Sequence, residues 1–118
     1  MHGYFADDLL LIVPSTPAAE GLCLFGEVLG EHKGALAMAL TTQCRGTQEI
    51  TIDLTGVHYL ANSALEILVA LAKNLQPPQR LLIRAASELA LRERLTARGW
   101  DGIETLRLTE GQAHGRSE

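Results

Sequence analysis

The sequence has few aromatic residues, no excess of basic charge and no long hydrophobic run. Aromatics make up 4% of the 118 residues, so aliphatic side chains and alanine must build the core. The formal net charge of -4 argues against sequence-independent binding to nucleic acid, which requires a basic face. No segment approaches the roughly 20 apolar residues of a spanning helix. Asp7 and Asp8 stand where an export signal would be basic. The sequence therefore predicts a cytoplasmic protein without direct membrane insertion or nucleic-acid binding.

Several signatures of catalysis and ligand binding are also missing. Cys23 and Cys44 lack metal or redox spacing, and we interpret them as buried, reduced thiols. The four histidines lack the spacing of a metal site, and neither a P-loop nor a G-x-G-x-x-G motif occurs. Asp53, His58 and Ser63 are close in sequence, but the G-x-S-x-G motif of hydrolases is absent. We therefore expect no catalytic residue, no metal and no cofactor, with Asp53 a hydrogen-bonded residue of a strand.

The residues that are present predict a single α/β domain. An apolar fraction of 47% and a charged fraction of 20% suit one compact core. Apolar runs and period-two alternation predict strands, and apolar residues at helical spacing predict helices. The predicted strands are 9–13, 22–25, 50–55, 81–83 and 103–108, and the predicted helices are 31–44, 62–75 and a long one from 87 to 98. The first two strands are close enough to pair antiparallel, and the strand–helix–strand units favour parallel neighbours. We expect a mixed central sheet flanked by helices within residues 1–108, and a flexible tail over 109–118.

The most informative local feature is the turn between the strand at 50–55 and the helix that follows it. Ala61-Asn62-Ser63-Ala64 opens that helix, and helix N-termini at strand ends are common binding sites. Ser63 and Glu66 fit a capping box, and Asn62 is an equally good N-cap. The turn carries an amide and a hydroxyl but no acid, no lysine and no glycine-rich loop. It therefore suits contact with a partner better than phosphate binding.

Segments in the order of this chain resemble the STAS domain, the fold of bacterial anti-sigma factor antagonists. The resemblance covers Leu22 to Leu108, about three quarters of the chain. The matching segments are Leu22-Cys23-Leu24-Phe25-Gly26-Glu27-Val28, similar to L-x-L-x-G-E-L/V; Ile52-Asp53-Leu54-Thr55-Gly56-Val57, similar to hydrophobic-D-L-S/T-G-V; Tyr59-Leu60 before the turn; Leu81-Leu82-Ile83; and a helix ending in Thr96-Ala97-Arg98-Gly99-Trp100. The order and spacing of these short segments carry the resemblance.

The turn departs from the family pattern. Phosphorylated members carry Asp-Ser-Ser/Thr-Gly, which corresponds to Ala61, Asn62, Ser63 and Ala64. Asn62 stands at the position of the phospho-acceptor serine and has no hydroxyl to accept phosphate. The resemblance therefore implies the fold and a partner-binding surface, but not the usual kinase switch. Whether Ser63 or Thr55 is modified stays open.

The resemblance implies a non-catalytic interaction module, an anti-sigma factor antagonist that binds a histidine-kinase-like ATPase. Two alternatives remain: a structural STAS subunit of a stress-signalling complex or of a lipid-transporting ABC system, and a small-molecule or nucleotide sensor. A homodimer is also open. We expect the arginines of the last helix to form a solvated face and Trp100 to pack on the core. The predicted partner-binding residues are Leu60, Ala61, Asn62, Ser63 and Glu66, with Glu27, Val28 and Leu29 on the neighbouring loop.

Overall fold

The chain folds into a six-stranded sheet with three α-helices. A computed structural model describes residues 5–14, 21–44 and 49–111. The strands are β1 (Phe5–Ala6), β2 (Leu10–Pro14), β3 (Gly21–Val28), β4 (Glu49–Leu60), β5 (Arg80–Ala86) and β6 (Leu106–Gly111). The helices are α1 (Lys33–Cys44), α2 (Asn62–Asn74) and α3 (Leu91–Ala97), and short 3-10 turns cover Gly30–His32 and Ser87–Leu89. No helix within these described ranges is long and apolar enough to cross a membrane.

The strands lie side by side in sequence order. β1, β2 and β3 pair antiparallel, as expected for strands joined by short connections, and β3 to β6 pair parallel. Each parallel pair is bridged by a segment containing a helix, because parallel strands need a crossover connection. The predicted mixed α/β architecture is therefore confirmed.

One face of the sheet is the core and the other is open. On β4, Ile50, Ile52 and Leu54 are fully buried in the cluster formed with α1 and α2, whereas Thr51 and Asp53 between them are half-buried. The alternation continues on the neighbouring strands. Side chains of one parity thus pack against the helices, while those of the other parity form what we call the open face.

Two strands are longer than predicted, and Gly26 explains the extension of the first. The strand predicted to end before Gly26-Glu27 continues to Val28. Gly26 adopts φ +107 inside β3, a conformation that favours glycine, and the register to β4 shifts beside it. β4 likewise runs on to Leu60, with Asp53 accepting hydrogen bonds from the Thr55 N–H (2.9 Å) and hydroxyl (2.6 Å) at the first irregularity. Asp53 is therefore a hydrogen-bonded residue of a strand, as predicted.

The prediction of one long last helix from 87 to 98 was wrong. Ser87–Leu89 forms a 3-10 turn, Ala90 takes a left-handed conformation at φ 54, and α3 starts only at Leu91. The left-handed residue redirects the chain, so one continuous helix cannot form. The predicted end is confirmed, because Gly99 has φ 74 and Trp100 donates its N–H to the Leu95 carbonyl, closing a Schellman motif. Trp100 packs against the core, as expected.

The end of the domain lies further along the chain than predicted. β6 spans Leu106–Gly111 and pairs with β5 up to Ala86–Gly111, so residues 109–111 belong to the sheet instead of a tail. Residues 112–118 lie outside the described residues, and the flexible tail stays a prediction there. Cys23 is half-buried on the open face instead of fully buried, and the side chain of Cys44 lies outside the described part.

A buried histidine fastens the β1–β2 hairpin to the start of α1. His32 is 2% exposed; its Nδ1 accepts the Leu29 N–H at 2.9 Å, and its Nε2 lies 2.9 Å from Asp7 Oδ2. A neutral ring protonated on Nε2 satisfies both bonds. Asp7 also accepts the N–H groups of Leu10 and Leu9, both at 2.8 Å. These bonds, the one from Leu10 foremost, lower the pKa of Asp7 from its ordinary value of 3.8.

We expect Asp7→Asn to weaken the dependence of the free energy of unfolding on pH in the acid range. The folded-state pKa of Asp7 is the lower one, so its contribution is present above pH 3.8 and is lost as the pH falls through the lower folded value. Urea titrations at pH 7 and through the acid range measure the difference between variant and parent. Asp8→Asn, the same change at the exposed neighbouring residue, is the matched control for the loss of one negative charge from this turn. If the free energy of unfolding of Asp7→Asn and of the parent changed equally with pH, Asp7 would not be the source of this acid dependence.

Candidate functional site

The turn before α2 lies at the carboxyl edge of the sheet, beside the end of β3. Val28 and Leu60 are partners in the β3–β4 register, and Ala61 donates its N–H to the Val28 carbonyl at 2.8 Å. The sheet thus brings Glu27 to Leu29 next to the first turn of α2. The eight predicted partner-binding residues are therefore gathered in one region of the molecule.

Two of the eight cannot offer their side chains to a partner. Val28 and Leu60 are 0% and 2% exposed, because each points into the core at the last position of its strand. This corrects the prediction for these two residues. Of the other six, Glu27, Asn62 and Glu66 are exposed, and Leu29, Ala61 and Ser63 are half-buried. We call these six residues the α2 mouth.

The predicted capping of α2 was also wrong. Ala61 is the N-cap, and the helix begins at Asn62 without a hydrogen bond from a capping side chain. Asn62 and Ser63 both lie inside the first turn, so neither stands at the N-cap position. The Asn62 side chain instead accepts a hydrogen bond from Arg94 of α3 at 2.7 Å.

Arg94 and Arg98 connect α3 to the α2 mouth, and their role was missed in the sequence. Nη2 of Arg94 donates both to Asn62 Oδ1 and to the Leu60 carbonyl, each at 2.7 Å. Arg98 binds Glu66 at 3.0 Å. Burial lowers the pKa of Arg94, a half-buried side chain, so the expected solvated face is corrected for this residue. We call these two contacts the α2–α3 brace.

The spacing of the brace is the signal that could have revealed it. Arg94 and Arg98 are four residues apart, as are Asn62 and Glu66, so each pair occupies one face of its helix. Two matched i, i+4 pairs on successive helices can form two parallel contacts. The sequence does not show that the helices meet there, because the break at Ala90 sets the direction of α3.

Ser63, whose modification the sequence leaves open, faces the 3-10 turn that follows β3. A Cβ atom placed on Gly30 would lie 2.9 Å from Ser63 Oγ, so the hydroxyl lies directly against Gly30. Ser63 is half-buried by this contact. The hydroxyl is therefore less accessible than that of a fully exposed serine.

A small cleft adjoins the mouth. It measures about 260 Å³ and is lined by His58, Tyr59, Leu60, Asn62, Glu88, Leu89 and Arg94. Sites for drug-sized ligands usually span about 300–1,000 Å³, so this cleft is small by comparison. Tyr59 is 52% exposed at its rim. The cleft offers an imidazole, a phenol and a guanidinium for polar contact with a protein surface.

Asp53, His58 and Ser63, which are close in sequence, do not form one site. Asp53 is engaged with Thr55, His58 lines the cleft, and Ser63 faces Gly30. Within the described residues, no hydrogen bond joins any two of Asp53, His58 and Ser63. A nucleophile must be in hydrogen-bond reach of its base, and this arrangement does not meet that condition.

One cluster could in principle gather metal ligands. Ligand atoms of Asp7, Glu31 and His32 lie within 4.8 Å of one another. The Nδ1 atom of His32 accepts the Leu29 N–H, so Nε2 must carry the proton that a metal would displace. If that proton moved to Nδ1, the new N–H would point at the N–H of Leu29, and two hydrogen-bond donors would face each other. The histidine is therefore arranged to bind Asp7 and is poorly suited to a metal.

Comparison with known proteins agrees with this architecture. The family model of the STAS domain matches residues 18–113. The fold is similar to the crystal structure of an anti-sigma factor antagonist from Mycobacterium paratuberculosis, with a TM-score of 0.69 and 22% identity over 86% of this chain and 88% of that one. No curated protein gives a significant match. Because the family model spans most of the sequence and the fold matches as well, the chain belongs to the STAS domain family.

Proposed function

We propose that this STAS domain is a non-catalytic interaction module that acts as an anti-sigma factor antagonist. Its partner is an anti-sigma factor of the histidine-kinase-like ATPase type, and capture of that partner frees a sigma factor for transcription. The α2 mouth is the contact surface. Docking there depends on surface complementarity and involves no phosphate at position 62.

The observation that carries the proposal is the neutral, braced start of α2. Asn62 is exposed at the centre of the mouth, and its side-chain oxygen is held by Arg94 at 2.7 Å. A side chain that is already oriented loses little conformational entropy when a partner packs on it. Asn62 and Glu66 of the mouth are thus oriented before a partner arrives.

The identity of residue 62 supports binding without phospho-control. A phosphoserine would bring about -1.5 to -2 charges to this helix N-terminus, which the helix dipole tolerates. A partner packed on the same spot would have to desolvate those charges and would be expelled. Asn62 cannot be phosphorylated, so the mouth stays neutral at this position.

The test pairs this protein with a purified histidine-kinase-like anti-sigma ATPase from the same organism. Titration calorimetry with Mg-ATP should show saturable binding, and intact-mass spectrometry after incubation should show no added phosphate. Absence of binding would overturn the proposed partner. Stoichiometric phosphate on the peptide containing Ser63 would overturn phosphate-independent docking. A stable large homo-assembly would favour the structural-subunit alternative, and a saturable rise in melting temperature with nucleotides would favour the sensor.

We expect Arg94→Ala to weaken partner binding by about tenfold or more and to lower the free energy of unfolding by about 1–2 kcal/mol. The change removes both hydrogen bonds of Arg94, so the Leu60 carbonyl and Asn62 lose the group that orients them. Calorimetric affinity and urea unfolding measure the two effects.

Arg92→Ala is the matched control, because Arg92 is an exposed arginine of the same helix that contacts Glu110 of β6. It should leave affinity close to the parental value. Arg94→Lys keeps the charge but loses the paired N–H geometry, so its affinity for the partner should lie between those of the parent and of Arg94→Ala. Parental affinity of Arg94→Ala would exclude the brace from partner binding.

A further inference from the structure

The brace uses only part of the hydrogen-bonding capacity of Arg94. An arginine side chain carries five N–H groups, two on each Nη atom and one on Nε. Those on Nη2 bind the Leu60 carbonyl and Asn62 Oδ1, each at 2.7 Å. Those on Nε and Nη1 have no acceptor within the described residues. The brace therefore fixes the guanidinium through one nitrogen and leaves the other two available to a ligand.

The charge of Arg94 is also not balanced by an acid. Its two acceptors, a carbonyl and an amide, are neutral. No carboxylate in the described part of the chain lies within ion-pair distance of Arg94, whereas Arg98 on the same helix pairs with Glu66. Burial lowers the pKa of Arg94, because the guanidinium loses part of its hydration. A half-buried cation without a counter-ion favours an anion as its ligand.

A cavity gives a ligand access to this cation. Arg94 lines the small cleft beside the α2 mouth, which we call the Arg94 cleft. Tyr59 also lines it and opposes the effect of burial on the pKa of Arg94, so the phenol lies near the guanidinium. A phenol O–H donates hydrogen bonds to anions. Glu88 lines the cleft as well, but it is exposed and forms no ion pair within the described residues. The Arg94 cleft therefore combines a cation with a hydroxyl donor, and no acid of the described chain neutralises it.

The charge and size of the Arg94 cleft favour a carboxylate as the anion. One positive charge is unbalanced, and a carboxylate brings one negative charge. A phosphate monoester would bring about -1.5 to -2 charges, and the excess would lie beside Glu88. The cleft measures about 260 Å³, below the about 300–1,000 Å³ of sites for drug-sized ligands, so it suits a single side chain. An aspartate or glutamate of another protein meets both conditions.

We propose that the Arg94 cleft binds the carboxylate of an aspartate or glutamate side chain on the docked partner. Arg94 donates a charge-assisted hydrogen bond from Nε or Nη1, and the Tyr59 hydroxyl donates a second one. Asn62 belongs both to the α2 mouth and to the lining of the cleft, so a partner on the mouth reaches the cleft directly. That the carboxylate comes from this partner rests on the proposed function, whereas the affinity of the cleft for a carboxylate does not.

Titration with a small carboxylate, followed by nuclear magnetic resonance, tests the site without the partner. The ligand is N-acetylglutamate amide, which carries one carboxylate, and the control ligand is the neutral N-acetylglutamine amide. At pH 7 and constant ionic strength, the first should shift the Arg94 Nε–H signal and the backbone amide signals of the cleft saturably. We expect a dissociation constant in the millimolar range, because one side chain makes few contacts. The neutral amide should cause no saturable shift.

Variants assign the effect to individual groups, with the backbone amides of the cleft as the common readout. Arg94→Ala should weaken binding of N-acetylglutamate amide at least about tenfold. Tyr59→Phe removes the hydroxyl donor and should weaken it about threefold. Glu88→Gln removes a nearby negative charge and should strengthen it about twofold. Arg92→Ala is the matched control, because Arg92 pairs with Glu110 outside the cleft, and it should bind like the parent. Dispersed backbone signals check that each variant is folded.

The outcomes separate this proposal from the proposed function. Absence of a saturable shift, an equal response to both amides, or an unchanged response in Arg94→Ala would overturn the site. Tighter binding of inorganic phosphate than of N-acetylglutamate amide would overturn the assignment to a carboxylate. None of these readouts needs the anti-sigma ATPase, so its failure to bind leaves them unaffected. If the ATPase binds, N-acetylglutamate amide should lower its apparent affinity, and an unchanged affinity would show that docking does not use the cleft.

Discussion

Gly26→Ala is expected to lower the free energy of unfolding by about 3 kcal/mol or more. Gly26 lies inside β3 at φ +107, a backbone conformation that costs other residues free energy. An added Cβ atom would also collide with the backbone carbonyl of Leu9, and that carbonyl accepts the Glu27 N–H at 2.8 Å. Relief of the clash would therefore require β2 and β3 to separate beside the core.

Urea unfolding monitored by circular dichroism measures the effect, and Gly34→Ala is the matched control. Gly34 lies in α1, where an added Cβ atom meets nothing within 4 Å. The same chemical change there should leave stability unchanged or raise it by up to about 1 kcal/mol. Gly26→Ala within 1 kcal/mol of the parent would show that the bulge relaxes at little cost.

Asn62→Asp is expected to stabilise the domain and to reduce its affinity for the anti-sigma partner, by at least about tenfold. The new carboxylate would lie beside Arg94 in the first turn of α2, where the arginine and the helix dipole both favour negative charge. We expect a gain of about 0.5–1 kcal/mol at pH 7. Partner docking falls because an anion must now be desolvated in the contact.

The stability added by Asn62→Asp depends on pH. The folded-state pKa of the new carboxylate would be lower than its unfolded value of about 3.9. The added stability is therefore present above that value and is lost as the pH falls through the lower folded value. Urea midpoints at pH 7 and in acid, together with calorimetry at pH 7, separate the two effects.

Asn74→Asp makes the same change at the other end of α2 and serves as the control. There the helix dipole disfavours negative charge, so a small loss of stability is expected, with no change in affinity. An equal loss of affinity in both variants would indicate a general charge effect. Unchanged affinity for Asn62→Asp would place the contact surface away from the α2 mouth.

The sequence predicted those parts of the fold whose signals are local and repeated. The alternation of Ile50, Ile52 and Leu54 predicted the central strand, and Gly99 predicted the end of the last helix. These signals succeed because the physical cause lies within a few residues of the signal itself. The order of the elements and the mixed sheet followed from them.

The errors arose where distant contacts decide the local conformation. Gly26 was interpreted as the end of a strand, but the partner strands on both sides hold it within the sheet. Ser87 was interpreted as the cap of a long helix, and only the left-handed Ala90 shows why that helix cannot begin there. Asn62 was interpreted as a cap because its partner Arg94 lies 32 residues away, and the matched spacing of the two pairs does not show that α2 and α3 meet.

The brace links the α2 mouth to an intrinsic fluorophore, Trp100. Arg98 binds Glu66 of the mouth and also lies over the ring of Trp100, 5.2 Å from its centroid. Trp100 is the single tryptophan of the chain. A ligand that draws Glu66 away would release the guanidinium from the indole and alter its emission. Intrinsic fluorescence should therefore report occupancy of the mouth in unlabelled protein, provided that the chosen partner contributes little emission of its own.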